Sequence, residues 1–173
     1  MFDGGMPGSA RTVPAVATWG EFELAQPELA AGGRQLLYQH GVGLAFLATV
    51  RADGGPRLHP MCPLLDESRL YAFIVPSPKQ RDLLRNGRYA MHSFPRPDNE
   101  DAFYLTGTAT LVEDAATRTR LADLFVSERA SIGVLPPPAE DLLFSFGIGS
   151  CLLTRTTGHG DPHPDHSVWN ASG

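Results

Sequence analysis

Along most of the chain, short runs of apolar residues are separated by residues that favour turns. The run LAFLATV (44–50) leads into Asp53-Gly54, a strong hairpin signal, and RLHPMCPLL (57–65) is the predicted returning strand. Four later segments also have the length and composition of strands: LYAFIV (70–75), YAMHSF (89–94), AFYLTGTATLV (102–112) and LLFSFGIGSCLL (142–153). The pattern therefore predicts six strands, joined mostly by hairpins.

The second predicted strand alternates between two kinds of position. Arg57, His59 and Met61 share one face of it. Four other side chains share the opposite face: Leu58, Pro60, Cys62 and Leu64. Because proline has no N–H to donate to a ladder, we expect this strand to have a free or irregular edge where another molecule can bind.

Helical patterns are fewer than strand patterns. Pro27 can open a helix that runs to Gly41, and residues 77–87 and 114–131 carry two more helical patterns. Residues 1–18 are rich in Gly and Pro and are interpreted as a flexible arm, so the predicted single domain spans residues 19–173. A hairpin-rich antiparallel sheet avoids raw edges by closing on itself, so we predict a mainly β fold, a six-stranded antiparallel barrel with a few helices.

Composition narrows the class of protein. The chain has 173 residues, of which 42% are hydrophobic, and a net charge of -5. This length suits one core, and the mild acidity without a basic stripe argues against nucleic acid as a partner. The sequence has no apolar run of membrane-spanning length and no signal peptide, so we expect a cytoplasmic protein without a membrane partner. Cys62 and Cys151 lie far apart and are interpreted as free thiols.

The segment SPKQRDLLRNG holds Lys79, the only lysine in a chain with thirteen arginines. Ser77 can cap this helix, Gln80 would complete a capping box, and Gly87 is a stop signal. A lysine in the first turn has the wrong sign for the positive end of the helix dipole. Its position is explained if an anion such as phosphate binds there, while a solvated surface lysine is the other interpretation.

Arg57 offers a second cation for such an anion, since a guanidinium can grip two phosphate oxygens. With this combination the chain resembles the pyridoxamine 5'-phosphate oxidase-like, FMN-binding split-barrel family. Trp169 and three segments carry the resemblance: LAFLATVRADGGPRLHPMCPLL, RLYAFIVPSPKQRDLLRNGRYAMHSF and DAFYLTGTATLVED. It covers residues 36–113 well and the rest loosely, and it implies a split barrel that forms a homodimer with two flavin sites at the subunit interface.

The resemblance also implies which residues bind the cofactor, FMN. Arg57 and Lys79 would hold its phosphate, with Ser77 as a further contact. The other implied contacts lie along the flavin ring: the backbone of Leu58, His59, Pro60 and Met61, the strand end Ile74 and Val75, and Trp169, which would reach the flavin of the other subunit. Alternatively, His59 fills a strand face and Trp169 anchors the C-terminal tail.

Two positions depart from the oxidase itself. It carries an arginine where this chain has Pro78 and a glutamine near Ala102, and the residues that bind its vitamin B6 substrate have no counterpart here. The implied function is therefore a related FMN-dependent oxidoreductase, which passes hydride through flavin N5 between a small substrate and a nicotinamide donor. The sequence has no Ser/His/Asp order and no paired carboxylates, so no side chain is assigned as catalytic.

Two other functions stay open. One is a reductase that uses the deazaflavin coenzyme, whose anionic tail would need a basic groove beyond Lys79, for which only Arg81, Arg85 and Arg88 are available. The other is a protein that binds flavin or haem without turnover. Three histidines lie in a tail segment rich in Gly, Pro and Asp: His159, His163 and His166. Their spacing fits a loop without preformed geometry, so no metal site is predicted.

Overall fold

The computed structural model describes residues 15–171, so residues 1–14 of the predicted arm lie outside the described part. The described residues form four α-helices: α1 (Trp19–Ala25), α2 (Pro27–Leu37), α3 (Pro78–Asn86) and α4 (Ala115–Glu128). They also form eight strands: β1 (Ala45–Val50), β2 (Pro56–Met61), β3 (Leu64–Asp66), β4 (Arg69–Ile74), β5 (Arg88–Ser93), β6 (Ala102–Leu111), β7 (Leu142–Arg155) and β8 (Asp165–Asn170). A short 3-10 turn, Ala130–Ile132, follows α4.

The strands form one antiparallel sheet in the order β2-β1-β5-β6-β7-β4-β3, with β8 paired to β7. The two ends of this path, β2 and β3, are consecutive in the chain and are separated by Cys62 and Pro63 alone. The sheet therefore curls until its ends meet, which gives an antiparallel half-barrel. The predicted split-barrel class is confirmed, although eight strands replace the six that the sequence predicts.

Two differences account for the larger number of strands. The predicted strand 57–65 is divided into β2 and β3, because Pro63 offers no N–H to continue a ladder. The sequence does not predict β8, in which five of the six residues are exposed and Trp169 is partly buried. A strand that buries one side chain has no apolar alternation by which it could be recognised.

The β1–β2 hairpin has the predicted turn. Gly54 has a φ of 85°, a left-handed value that glycine adopts without strain. The Asp53 carboxylate accepts the N–H of Gly55 at 3.0 Å. The resulting register pairs Thr49 with Arg57, and residues directly opposite each other in an antiparallel pair point to the same face. The turn thus brings Arg57 beside Thr49 on the inner face of the sheet.

The helices α1 and α2 pack against one another and against the sheet. Thr18 caps α1 by accepting the N–H of Glu21 at 3.2 Å, and the buried Phe22 stacks on Phe103 of β6. The sequence does not predict α1, whose seven residues are too few to show a clear period. No helix within residues 15–171 has the length and apolarity needed to cross a membrane.

Two segments differ from the predicted boundaries, one before α1 and one after α2. In the last residues of the predicted arm, Ala17 and Ile148 exchange backbone hydrogen bonds of 2.8 Å. The predicted helix from Pro27 to Gly41 ends earlier, at Leu37. The following turn reaches Gly41, whose φ of 78° is a left-handed value that ends the helical path.

The interior of the curled sheet is the main core, and β6 contributes one face to it. Phe103, Leu105 and Ala109 are buried, as expected for side chains that share one face of a strand. The register between β6 and β7 shifts at Gly107. There the two backbones approach so closely that a Cβ on Gly107 would lie 1.9 Å from the carbonyl oxygen of Gly147.

We expect Gly107→Ala to destabilise the protein. Overpacking costs about 1 to 3 kcal/mol, and the upper end applies here because the clash is with backbone that cannot rotate away. Urea denaturation followed by circular dichroism measures the loss. Gly158→Ala is the matched control, since a Cβ on Gly158 meets nothing within 4 Å. Equal stability of the two variants would contradict the close approach at Gly107.

Candidate functional site

The helix α3 begins and ends as the sequence predicts, but its capping is different. The Ser77 hydroxyl accepts the N–H of Gln80 at 3.3 Å and donates to the Val75 carbonyl at 2.8 Å. The predicted capping box is wrong, because the Gln80 side chain donates instead to the carbonyls of Ile74 and Glu140. Gln80 therefore ties the end of β4 to the chain that enters β7.

Lys79 lies in the first turn of α3 and reaches β2. Its ammonium donates to the Pro60 carbonyl at 3.1 Å and has no acidic partner among residues 15–171. Burial lowers the pKa of Lys79, and the nearby Cys62 thiol opposes this effect. Lys79 is thus a partly buried cation that contacts a neighbouring strand.

Arg57 contacts the same helix through Asp82, a residue that the sequence reasoning missed. The Arg57 Nε donates to Asp82 at 2.8 Å, and Asp82 is 4% exposed. The same carboxylate accepts from Thr49 at 3.0 Å and from Arg85 at 3.2 Å. Burial raises the pKa of Asp82, but the hydrogen bonds from Arg57, Thr49 and Arg85 outweigh it and hold the pKa below its usual range.

A signal for Asp82 was present in the sequence. It is the only acidic residue from position 68 to 97, a stretch that contains Lys79 and five arginines. A single carboxylate among so many cations is a candidate anchor for one of them. Spacing along α3 alone points to Arg85, three residues away, and gives no indication of Arg57 or Thr49.

Lys79 and Arg57 line different cavities in this chain. Lys79 lies in a cavity of about 350 Å³, named the apolar cavity here, whose other lining residues are Pro60, Met61, Cys62, Phe73, Val75, Phe125, residues 135–138 and Asp141. Arg57 lies in a cavity of about 360 Å³, the arginine cleft, which is lined by residues 51–53, Arg57, Pro78, Arg81, Asp82 and Arg85. The two cavities are neighbours along the seam between β2 and α3.

The edge of β2 along this seam is free, as predicted. The Pro60 carbonyl faces away from β1, since it accepts from Lys79. Backbone groups alternate in direction along a strand, so Pro56 and Leu58 face the same edge as Pro60. Because proline has no N–H, Leu58 supplies both an N–H and a carbonyl to this edge.

The other predicted site residues are scattered. Val75 is 49% exposed beside the apolar cavity, whereas Ile74 is fully buried in the core. His59 is exposed on β2. Trp169 lies on β8 and packs against Phe22, with ring centroids 5.0 Å apart, and it lines neither cavity. Within one chain Trp169 is an anchor for the tail, and contact with a partner's flavin stays a prediction.

The tail histidines make separate contacts. The His159 Nε2 lies 3.0 Å from the Pro97 carbonyl, and the His166 Nδ1 lies 3.0 Å from the Thr154 hydroxyl. Over residues 15–171, no three His, Cys, Asp or Glu side chains gather as metal ligands.

Comparison with known proteins assigns the family. The family model described as pyridoxamine 5'-phosphate oxidase matches residues 36–140, more than half of the chain. The chain belongs to the pyridoxamine 5'-phosphate oxidase family. No curated protein matches its sequence.

Solved structures share the fold of this family member. A haem binding protein from Mycobacterium smegmatis has a TM-score of 0.58 at 14% identity, over 79% of this chain and 57% of that one. A protein from Listeria innocua that bears the name pyridoxamine 5'-phosphate oxidase scores 0.55 at 20% identity, over 69% and 93%. An F420 reductase scores 0.52 at 23% identity, over 68% and 94%. At these identities the likeness shows the fold alone.

We expect Asp82→Asn to destabilise the protein. Breaking a buried ion pair costs about 3 to 5 kcal/mol, and partial exposure of both arginines reduces the expected loss to about 2 to 3 kcal/mol. The folded pKa of Asp82 lies below its ordinary value of 3.8, so its stabilising effect is complete above pH 3.8 and is lost as the pH falls through the folded pKa.

The measurement is the free energy of unfolding in urea from pH 7 down to pH 3. Asp82→Asn is expected to be less stable at pH 7 and to show a smaller loss in acid than the wild type. The control is Asp123→Asn, an exposed position on α4. If Asp82→Asn and Asp123→Asn behave alike, Asp82 does not anchor Arg57 as described.

Proposed function

We propose that this chain is an FMN-dependent oxidoreductase that acts on a small molecule with a nicotinamide as electron donor. One observation carries the proposal: the Lys79 ammonium and the start of α3 lie against the free edge of β2, the strand that also carries Arg57. A phosphate and a planar ring with polar atoms along one edge would each find suitable partners there.

The groups available to a phosphate support this proposal. Lys79 uses one N–H on Pro60, so two others remain for an anion. Arg57 uses Nε on Asp82, and its terminal nitrogens make no hydrogen bond within residues 15–171. Ser77 has its hydroxyl engaged at both ends, with Val75 and Gln80. Arg57 and Lys79 therefore fit the phosphate better than Ser77 does.

The groups available to the flavin ring also fit. The Leu58 N–H and carbonyl at the free edge of β2 can pair with polar atoms of the ring, and Met61 and Val75 provide apolar surface beside it. When bound, FMN would supply hydride transfer at N5. The chain's own contribution would be to orient the ring and exclude water.

The outer face of the sheet supports the expected homodimer. Six neighbouring strands, in the order β2, β1, β5, β6, β7 and β8, each contribute one side chain to each of two adjoining rows on this face. The first row is Pro60, Phe46, His92, Tyr104, Leu152 and Val168. The second row is Leu58, Ala48, Ala90, Thr106, Ser150 and Asn170. Many of these are apolar although they face outward, and Leu58 and Val168 are more than 60% exposed. A second copy on this face would cover them and border the proposed flavin site.

A second candidate is a reductase that uses the deazaflavin coenzyme. The arginine cleft favours it, since four arginines there face two carboxylates, those of Asp53 and Asp82. Arg81 is exposed and has no ion pair within residues 15–171. An excess of cations next to Lys79 suits an extended anionic tail better than a single phosphate.

We expect Lys79→Ala to weaken FMN binding by about 1.5 to 3 kcal/mol, the worth of one hydrogen bond from a charged donor. Quenching of flavin fluorescence on titration with the protein measures the affinity. Lys79→Arg retains the charge and is the control, for which a smaller loss is expected. Unchanged affinity in Lys79→Ala would exclude Lys79 from the phosphate site.

Tight binding of the deazaflavin coenzyme, without FMN binding, would instead favour the second candidate. A bound cofactor that neither NADH nor NADPH reduces would favour storage or sensing over turnover.

We expect the wild type to run at about twice its chain mass of 18.7 kDa in size-exclusion chromatography with light scattering. Ala90→Glu places a charge near the centre of the outer sheet face and is expected to yield the monomer, because burying an unpaired charge is costly. Leu24→Glu is the control, since Leu24 is 88% exposed on α1, away from that face. A monomeric wild type would contradict the expected dimer.

A further inference from the structure

The apolar cavity is lined by more residues than the proposed flavin contacts use. One side is formed by β2, β4 and Lys79, which the proposed function uses. The other side is formed by Phe125 of α4, by residues 135–138 (LPPP) and by Asp141. This second side, called the loop wall here, has no role in holding a phosphate or a flavin ring.

The loop wall is held firmly in place. The Arg118 guanidinium on α4 donates to the carbonyls of Asp141 at 2.6 Å and Pro138 at 2.7 Å. The Gln80 side chain of α3 donates to the Glu140 carbonyl at 3.2 Å. Three consecutive prolines further restrict the backbone. The cavity is therefore shaped in advance by α3 and α4, so a ligand would bind without ordering the loop.

Asp141 is the polar group that this wall contributes. It is 8% exposed, and its carboxylate has no hydrogen bond and no ion pair within residues 15–171. Both terminal nitrogens of the neighbouring Arg118 donate to backbone carbonyls, so they do not pair with the Asp141 carboxylate. Burial, and after it the charge of Glu140, raise the pKa of Asp141, while Arg118 opposes them. The residue as a whole is mostly buried, but its carboxylate oxygens still reach the surface, so they can accept a hydrogen bond from a ligand in the cavity.

The remaining walls describe the rest of that ligand. Phe73 and Phe125 meet edge to face, with centroids 6.0 Å apart, and present aromatic surface to the cavity. Leu135 and the prolines add aliphatic surface. A volume of about 350 Å³ is at the small end of ligand pockets. The surface therefore suits one small apolar body, with a polar group toward Asp141.

We propose that the apolar cavity binds a small apolar molecule that carries a cationic group, with Asp141 receiving that group. The inference rests on the proposed function in one respect, namely that this molecule is the substrate beside the flavin: it accepts the hydride that the nicotinamide gives to the flavin, so it carries a reducible group as well as the cation. Lys79 borders the same cavity on the β2 side, so a cation is expected beside Asp141 and not beside Lys79. The Arg118 guanidinium, 5.2 Å from the centroid of the Phe73 ring, is the charge that Asp141 has to offset there. Asp141 is a specificity-determining residue in this account.

The test uses three probes of one shape and different charge: benzylamine, benzyl alcohol and benzoate. The protein carries methionine labelled with carbon-13 in its methyl group, and the Met61 signal reports occupancy because Met61 lines the cavity. Titrations at pH 8 compare the wild type with Asp141→Asn. The matched control is Glu140→Gln, which removes the same charge from an exposed neighbouring side chain. Every titration is done with and without FMN.

Benzylamine is expected to shift the Met61 signal and to bind the wild type at least tenfold more tightly than benzyl alcohol does. Asp141→Asn should lower the affinity for benzylamine about tenfold. Its affinities for benzyl alcohol and for FMN should equal those of the wild type. Glu140→Gln should match the wild type.

Equal benzylamine affinity in the wild type and Asp141→Asn would overturn the inference. Displacement of benzylamine by FMN would also overturn it, because the cavity would then belong to the cofactor. If the protein fails to bind FMN but discriminates benzylamine through Asp141, the binding inference stands and the proposed flavin function falls.

Discussion

The Asp82 carboxylate lies where β1, β2 and α3 meet, and it accepts hydrogen bonds from Thr49, Arg57 and Arg85. These bonds fix the distance between a strand at the end of the sheet path and the helix that follows β4. Along the same seam, Lys79 reaches the Pro60 carbonyl. The positions of Arg57 and Arg85, and with them the arginine cleft, depend on this one buried acceptor.

The sheet topology places that seam at the opening of the half-barrel. β7 has 14 residues and pairs with β6 along one edge, while β4 and β8 share its other edge. The sheet thus bends around a long central strand, and its two ends are β2 and β3. α3 closes part of the gap between the ends. A cavity at the split of the barrel follows from connecting these strands in this order.

The sequence predicted those strands that bury one face, and those helix ends whose capping residues lie next to the helix in the chain. Apolar runs and alternation predicted β1, β4, β5, β6 and all but the last two residues of β7, and Ser77 and Gly87 predicted the bounds of α3. Spacing also placed Arg57 and Lys79 toward one seam. It did not predict β8 or α1, which carry little periodicity.

Other features depended on partners that are distant in the chain. Gln80 bonds to Glu140, 60 positions away, in place of the expected local cap. The anchoring role of Asp82 and the burial of Asp141 likewise arise from tertiary packing, because their neighbours come from elements that no local pattern connects. The residue types of the candidate site could thus be read from the sequence, whereas their pairing could not.

The two prolines of β2 have a further consequence for what this edge can recognise. Of the three residues that face outward from the sheet path, Pro56 and Pro60 offer no N–H and Leu58 offers one. A peptide that tried to extend the sheet would find too few donors for a ladder, and edge-to-edge aggregation is disfavoured for the same reason. The lack of N–H groups therefore makes the edge selective. It disfavours pairing with another polypeptide strand, whereas a compact ligand that needs a single donor can still use the Leu58 N–H.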